Sequence, residues 1–61
     1  MRVFVEWGYV DTYGRFEETT ITWFTSKPEA NAWIENKRKR DGGYFQTRKI
    51  GWADYNLYLQ M

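Results

Sequence analysis

One segment of the sequence, residues 25–43 (TSKPEANAWIENKRKRDGG), has the pattern of an amphipathic α-helix, and no other segment does. Ser26 is a suitable N-cap, Glu29 completes a capping box, and Pro28 is tolerated in the first turn, where its missing N–H is not needed. One stripe of side chains then follows at helical spacing: Ala30, Trp33, Ile34 and the stem of Lys37. One of the two glycines at the end supplies the stop.

The residues before this helix are predicted to form a β-hairpin. Residues 2–10 (RVFVEWGYV) and 16–25 (FEETTITWFT) are rich in β-branched and aromatic residues, which favour strands. The loop DTYGR between them begins with aspartate and has glycine three residues later, which is typical of a type I turn followed by a left-handed glycine. The loop therefore connects two antiparallel strands.

This loop also predicts the register of the hairpin. If Asp11 pairs with Arg15, Val3 lies opposite Trp23. That register collects apolar residues on one face of the hairpin, whereas a plain two-residue loop would divide them between both faces. We therefore expect the register set by the longer loop.

The residues after the helix are predicted to form a second hairpin, with Gly51 and Trp52 as its turn. This turn sets Lys49 opposite Asp54, a favourable pair of opposite charges. The residues that would then face the core are Tyr44, Gln46, Arg48, Ile50, Tyr55, Leu57 and Leu59. Several of them are polar, so the register of this hairpin stays open.

The predicted architecture is α+β: a single domain over residues 1–61, in the order ββαββ, with one helix packed on one face of a four-stranded antiparallel sheet. A right-handed crossover favours the strand order 2-1-3-4, and the order 2-1-4-3 is left open. A chain of this size buries only about 60% of its unfolded surface. Because there is no cysteine, no disulfide adds stability, and the aromatic residues, 21% of the chain, are expected to build the core.

The composition argues against an enzyme. Without histidine or cysteine the chain lacks the usual bases and the usual zinc ligands. Ser26 is already explained as a helix cap, and Glu17 and Glu18 point to opposite faces of a strand, so they cannot converge on one substrate or metal ion. We therefore predict no catalytic residue, cofactor or metal site, and no small-molecule substrate is evident.

The expected location is the cytoplasm. No apolar run approaches the roughly 18 residues of a membrane span. The start, MRVFVEWGY, lacks the apolar stretch of a signal peptide, and the absence of cysteine fits a reducing compartment. No membrane partner is predicted.

A four-stranded sheet with one helix leaves its second face open, and the predicted registers place aromatic side chains there. The residues expected to bind a partner on this face are Phe4, Phe16, Phe24, Phe45 and Tyr58. Exposed aromatic groups of this kind are typical of protein interfaces, so the partner expected is another protein or a second copy of the chain. Glu6 and Glu18 are predicted on the same face, where they would repel the phosphates of a nucleic acid.

The second candidate surface is basic. Residues 1–36 carry three bases and six acids, net −3, whereas residues 37–61 carry six bases and two acids, net +4. The residues predicted to contact an acidic partner or a nucleic acid are Lys37, Arg38, Lys39, Arg40, Arg48 and Lys49. Cations in the last turn of a helix also complement its macrodipole, so the run has a structural explanation as well.

The helix entry FTSKPEANAWIENK, 14 of the 61 residues, resembles a pattern in many small α+β proteins of bacteria and their phages. In this pattern Phe-Thr/Ser, two variable residues, Glu-Ala and an aromatic-aliphatic pair follow a strand. The resemblance implies a small phage or prophage protein, many of which bind and inhibit a host protein. The predicted function is thus a non-catalytic protein-binding module that uses the open aromatic face, with homodimerisation through that face as one option. A small nucleic-acid-binding protein is the alternative, and a structural subunit of a larger assembly is a third possibility.

Overall fold

The computed structural model describes residues 1–59, which form a three-stranded antiparallel sheet and one long helix. The elements in chain order are β1 (Arg2–Val10), β2 (Phe16–Phe24), α1 (Lys27–Asp41), a 3₁₀ turn (Gly42–Tyr44), β3 (Phe45–Ala53) and α2 (Tyr55–Leu59). The sheet order is β2-β1-β3, with β1 in the centre. The α+β class, the single main helix and the central position of β1 are confirmed. The predicted fourth strand is not present within residues 1–59.

The prediction of a second hairpin is wrong. Gly51 and Trp52 do not form a turn, because they lie inside β3. The ring of Phe4 on the paired strand explains this glycine: a Cβ at Gly51 would lie 3.1 Å from Phe4 Cε1. Glycine here makes room for an aromatic ring on the neighbouring strand. After β3, the carboxylate of Asp54 accepts a hydrogen bond from the Asn56 N–H at 2.9 Å, at the start of α2.

The turn between β1 and β2 is formed as predicted. Gly14 adopts a φ of 80°, in the left-handed region that favours glycine. The Asp11 N–H donates to the Arg15 carbonyl at 2.9 Å. The Asp11 carboxylate accepts hydrogen bonds from the N–H groups of Tyr13 and Arg15 at 2.8 and 3.0 Å. A short polar side chain that satisfies its own turn in this way stabilises the loop.

Beyond the turn, the predicted register of the hairpin is wrong by one residue. Glu17 has no partner in β1 and forms a β-bulge between Phe16 and Glu18. Because side chains alternate along a strand, this extra residue moves the β2 residues after it to the other face. Val3 consequently lies opposite Phe24 and not opposite the preceding tryptophan.

The core lies between the sheet and α1. Its buried residues are Val3, Val5, Phe24, Ala30, Ile34 and Phe45, with Trp7 and Trp33 packed against them. Two of the rings predicted on the open face, Phe24 and Phe45, are therefore core residues with 8% and 1% exposure. The bulge in β2 turns Phe24 inward. Phe45 lies on the helix side because it pairs with Tyr9 at the first position of β3.

The helix begins and ends as predicted. The Ser26 hydroxyl accepts a hydrogen bond from the Glu29 N–H at 3.4 Å. The Glu29 carboxylate accepts hydrogen bonds from the N–H and the hydroxyl of Thr25, at 3.2 and 2.7 Å. At the other end, the Gly42 N–H donates to the carbonyl of Arg38. Over the described part of the chain, no helix has the length and apolar character needed to cross a membrane.

Candidate binding surface

The face of the sheet opposite α1 carries aromatic rings with charged side chains beside them. We call this surface the open face. Its residues on the strands include Arg2, Phe4, Glu6, Phe16, Ile21, Trp23, Arg48 and Lys49. The aromatic and aliphatic members of this set are all partly exposed. Of the helices in residues 1–59, α2 reaches the open face at one end, where Tyr55 stacks on Trp23.

The rings at that end pack closely on one another. The ring centres of Phe4 and Trp23 are 5.8 Å apart. The rings of Trp23 and Tyr55 lie 5.1 Å apart and nearly parallel, at 5°. The guanidinium carbon of Arg2 is 4.4 Å from the centre of the Tyr55 ring, which is within the range of a cation–π contact. The stacking surface of Trp23 is thus occupied, at least in part, by the chain itself.

Charged side chains lie beside Phe16, which is the first residue of β2 and lies at the turn end of the open face. Arg48 Nε lies 3.6 Å from a carboxylate oxygen of Glu6, and its guanidinium carbon lies 5.6 Å from the centre of the Phe16 ring. Arg48 is the extra residue of a second bulge, since Glu6 pairs with Lys49 and the next β1 residue pairs with Thr47. This bulge brings two consecutive basic residues to the same face.

The structure places two of the five residues predicted for this surface where they are expected. Phe4 and Phe16 lie on the open face. Phe24 and Phe45 lie in the core, so their predicted position is wrong. Tyr58 belongs to α2, and its side chain lies outside the described part of the structure.

Ile21 and Trp23 lie on the open face and were not predicted there. The signal that could have placed them is Gly8, because a glycine inside a strand often marks the close approach of another backbone. A Cβ at this position would overlap the carbonyl oxygen of Glu18, immediately after the bulge. The same one-residue shift moves the Glu18 side chain to the helix side, opposite Tyr9, so the open face is less acidic than predicted.

Lys37, the first residue of the basic run, is enclosed by the protein. Its ammonium lies 4.4 Å from the centre of the Trp7 ring and donates a hydrogen bond of 2.9 Å to the Tyr9 hydroxyl. It also lies 3.6 Å from the carboxylate of Asp41, and its side chain is only 14% exposed. Three further rings lie 5.3 to 5.9 Å away: Tyr9, Trp33 and Phe45. Lys37 therefore packs against the aromatic rings at one end of the core.

Asp41 connects the end of α1 to the central strand. The hydrogen bond of 2.7 Å from the Tyr9 hydroxyl is the main cause that holds the pKa of Asp41 below its ordinary value. Partial burial acts in the opposite direction, and the hydrogen bond and charge of Arg40, with the charge of Lys37, lower the pKa further. The ionised carboxylate is thus favoured by three neighbours.

The other basic residues do not form one patch. Arg38, Lys39 and Arg40 are exposed on the last turns of α1, on the helix side of the sheet. Arg48 and Lys49 lie on the open face, on the opposite side. A single bound strand of nucleic acid would have to pass around the sheet to reach both groups.

A groove of about 350 Å³ lies on the helix side, along the part of β2 that α1 does not cover. It is lined by Trp7, Gly8, Tyr9, Glu17, Glu18 and Thr20. Among the described residues, no three carboxylates are grouped so that they could hold a metal ion. Because Glu17 is the bulge residue, Glu17 and Glu18 both line this groove, and the prediction that they lie on opposite faces of the strand is wrong.

No protein-family model, curated protein or solved structure gives a match to the chain.

Proposed function

We propose that this protein is a non-catalytic protein-binding module that holds its partner on the open face. The observation that carries this proposal is a group of partly exposed apolar side chains on one side of the sheet: Phe4, Phe16, Ile21 and Trp23. Partly exposed apolar side chains collected on one face are typical of interaction sites. Arg48 lies beside Phe16. Arginine and aromatic residues are both enriched among the residues that contribute most to binding energy at protein interfaces.

The charges of the open face favour a partner with apolar and acidic groups. Arg2, Arg48 and Lys49 are basic, and the one acid on the strands of this face, Glu6, is already paired with Arg48. An apolar centre with a basic rim complements an apolar side chain flanked by carboxylates. The charge pattern concerns the partner alone; from the resemblance of the helix entry we propose further that the module is a phage-type inhibitor or adaptor that acts on a host protein in the cytoplasm.

Single-stranded nucleic acid is the second candidate partner, because basic side chains lie beside the rings. Arg48 and Lys49 supply cations for phosphates. Stacking of bases, however, requires free ring faces. Tyr55 already stacks on Trp23, and the guanidinium of Arg48 lies over Phe16. These intramolecular contacts favour a protein partner over nucleic acid.

Matched variants test the proposal. Phe16→Ser removes a ring from the open face, whereas Tyr44→Ser removes an exposed ring outside it. A third variant, with Arg38, Lys39 and Arg40 all changed to Ala, removes the exposed basic charges of α1. The partner is isolated with the wild-type protein from the cells that produce it, identified by mass spectrometry, and titrated against each folded variant by calorimetry. We expect at least tenfold weaker binding for Phe16→Ser only. Weaker binding for the triple variant alone would contradict the proposal.

A further inference from the structure

The two edges of the sheet are protected to different degrees. In β3, the bulge at Arg48 and the adjacent Lys49 interrupt the edge and charge it, which are common means of preventing strands from pairing. β2 also has a bulge and two acids, but these lie at its start, at Glu17 and Glu18; the segment 19–24 after them is regular and has neither proline nor a charged residue. Threonine and isoleucine fill most of it, and these residues favour strands. The later part of β2 therefore presents an unprotected edge.

We infer that a second copy of the chain pairs with this edge, so that two sheets join into one of six strands. An antiparallel pair of β2 strands centred on Ile21 places Ile21 opposite its counterpart and Thr20 opposite Thr22 of the partner copy. Glu18 then lies opposite Phe24, so no like charges meet. The remaining pair, Thr19 with Trp23, combines a β-branched and an aromatic residue, a favourable cross-strand combination.

This pairing also joins the two open faces. In an antiparallel pair related by a twofold axis perpendicular to the sheet, both copies present the same face on the same side. Ile21 and Trp23 lie on the open face, so the apolar row of one copy continues directly into that of the other. The inference goes beyond the proposed function, because the dimer forms through the strand edge and leaves the open face accessible to a partner.

Opposite charges at Ile21 test the twofold pairing. Ile21→Lys and Ile21→Glu each bring two like charges together at the axis, whereas an equal mixture of the two variants brings opposite charges together. The mass in solution is measured by light scattering from micromolar to millimolar concentration. We expect a dimer for the wild type, a monomer for each variant, and a dimer again for the mixture. Ile50→Lys, the same substitution on the other edge strand, is expected to keep the dimer.

A second measurement covers the case in which a charged variant does not fold. The chain contains no cysteine, so Ile21→Cys introduces a single thiol close to its counterpart across the axis. Mild oxidation is expected to link two copies through Ile21→Cys and not through Ile50→Cys. A wild-type monomer over the whole concentration range, or equal linking by both thiols, would overturn the dimer. Either result leaves the test of the open face at Phe16 intact, so the two proposals can fail separately.

Discussion

The ammonium of Lys37 lies 4.4 Å from the centre of the Trp7 indole ring, on the side of the sheet that α1 covers. The Tyr9 hydroxyl accepts a hydrogen bond from this ammonium and donates one to Asp41. The basic run is thereby divided: its first residue packs against aromatic rings beside the core, and the three after it face solvent.

Removal of the Lys37 charge is expected to destabilise the fold. Lys37→Met keeps a long aliphatic side chain but loses the contacts to the rings and to Asp41, and we expect the free energy of unfolding to fall by about 1 to 2 kcal/mol. Lys39→Met changes an exposed lysine of the same helix and is expected to alter the free energy of unfolding by no more than about 0.5 kcal/mol. Urea denaturation followed by tryptophan fluorescence measures both. Equal stability of the two variants would mean that the contacts of the Lys37 ammonium with the aromatic rings and Asp41 contribute nothing to stability.

A methyl group at Gly8 is expected to disturb the sheet next to the bulge. Because the added Cβ would overlap the Glu18 carbonyl, we expect Gly8→Ala to lower the free energy of unfolding by about 1 to 3 kcal/mol. At Gly43 an added Cβ meets no atom within 4 Å, so Gly43→Ala serves as the control. Chemical denaturation of both variants gives the comparison. A Gly8→Ala protein as stable as the control would contradict the register with the bulge at Glu17.

Phe24 and Phe16 are expected to respond differently to the same substitution. Phe24→Ser empties a buried position and is expected to cost about 3 kcal/mol or more, which for so small a domain approaches global unfolding. Phe16→Ser changes a partly exposed ring on the open face and is expected to cost less. Thermal melts followed by circular dichroism distinguish them. If Phe16→Ser unfolds the protein while Phe24→Ser does not, the two faces of β2 have been assigned in reverse.

The stability of the protein is expected to depend on Asp41 at low pH. Since folding lowers the pKa of this carboxyl, its contribution is fully present above the ordinary value of 3.8 and is lost as the pH falls through the lower value of the folded state. The Asp41→Asn variant should therefore lose less stability than the wild type as the pH falls below 3.8. Glu35→Gln, at an exposed position of the same helix, is the control. Denaturation curves recorded from neutral pH downward give the free energy of unfolding of each variant. The role of Asp41 would be refuted if both variants lost stability with acid as the wild type does.

The helix and the first turn could be predicted because their determinants are local. Ser26 and Glu29 form hydrogen bonds within the helix entry, and Gly14 supplies the one left-handed residue of the loop. Phe4 and Phe16 were placed correctly because β1 alternates regularly at Phe4 and because Phe16 precedes the bulge in β2.

The faces of the outer strands could not be predicted from local patterns. The position of Phe24 depends on the bulge at Glu17, which itself depends on the absence of a side chain at Gly8 in the neighbouring strand. Gly51 has the local sequence of a turn, but the Phe4 ring from β1 occupies the space above it. The contacts of Gly8 with Glu18 and of Gly51 with Phe4 both join residues distant in sequence. These two contacts determine which residues lie on the open face.

Photocrosslinking from the open face tests the central claim most directly. Benzoylphenylalanine replaces either Phe16 or the exposed Tyr44 in the cells that produce the protein, and adducts are compared after irradiation. We predict a discrete protein adduct from position 16 that resists nuclease, is lost with Arg48→Glu, and is absent from position 44. An adduct that nuclease removes, or the same adducts from both positions, would contradict a protein partner on the open face.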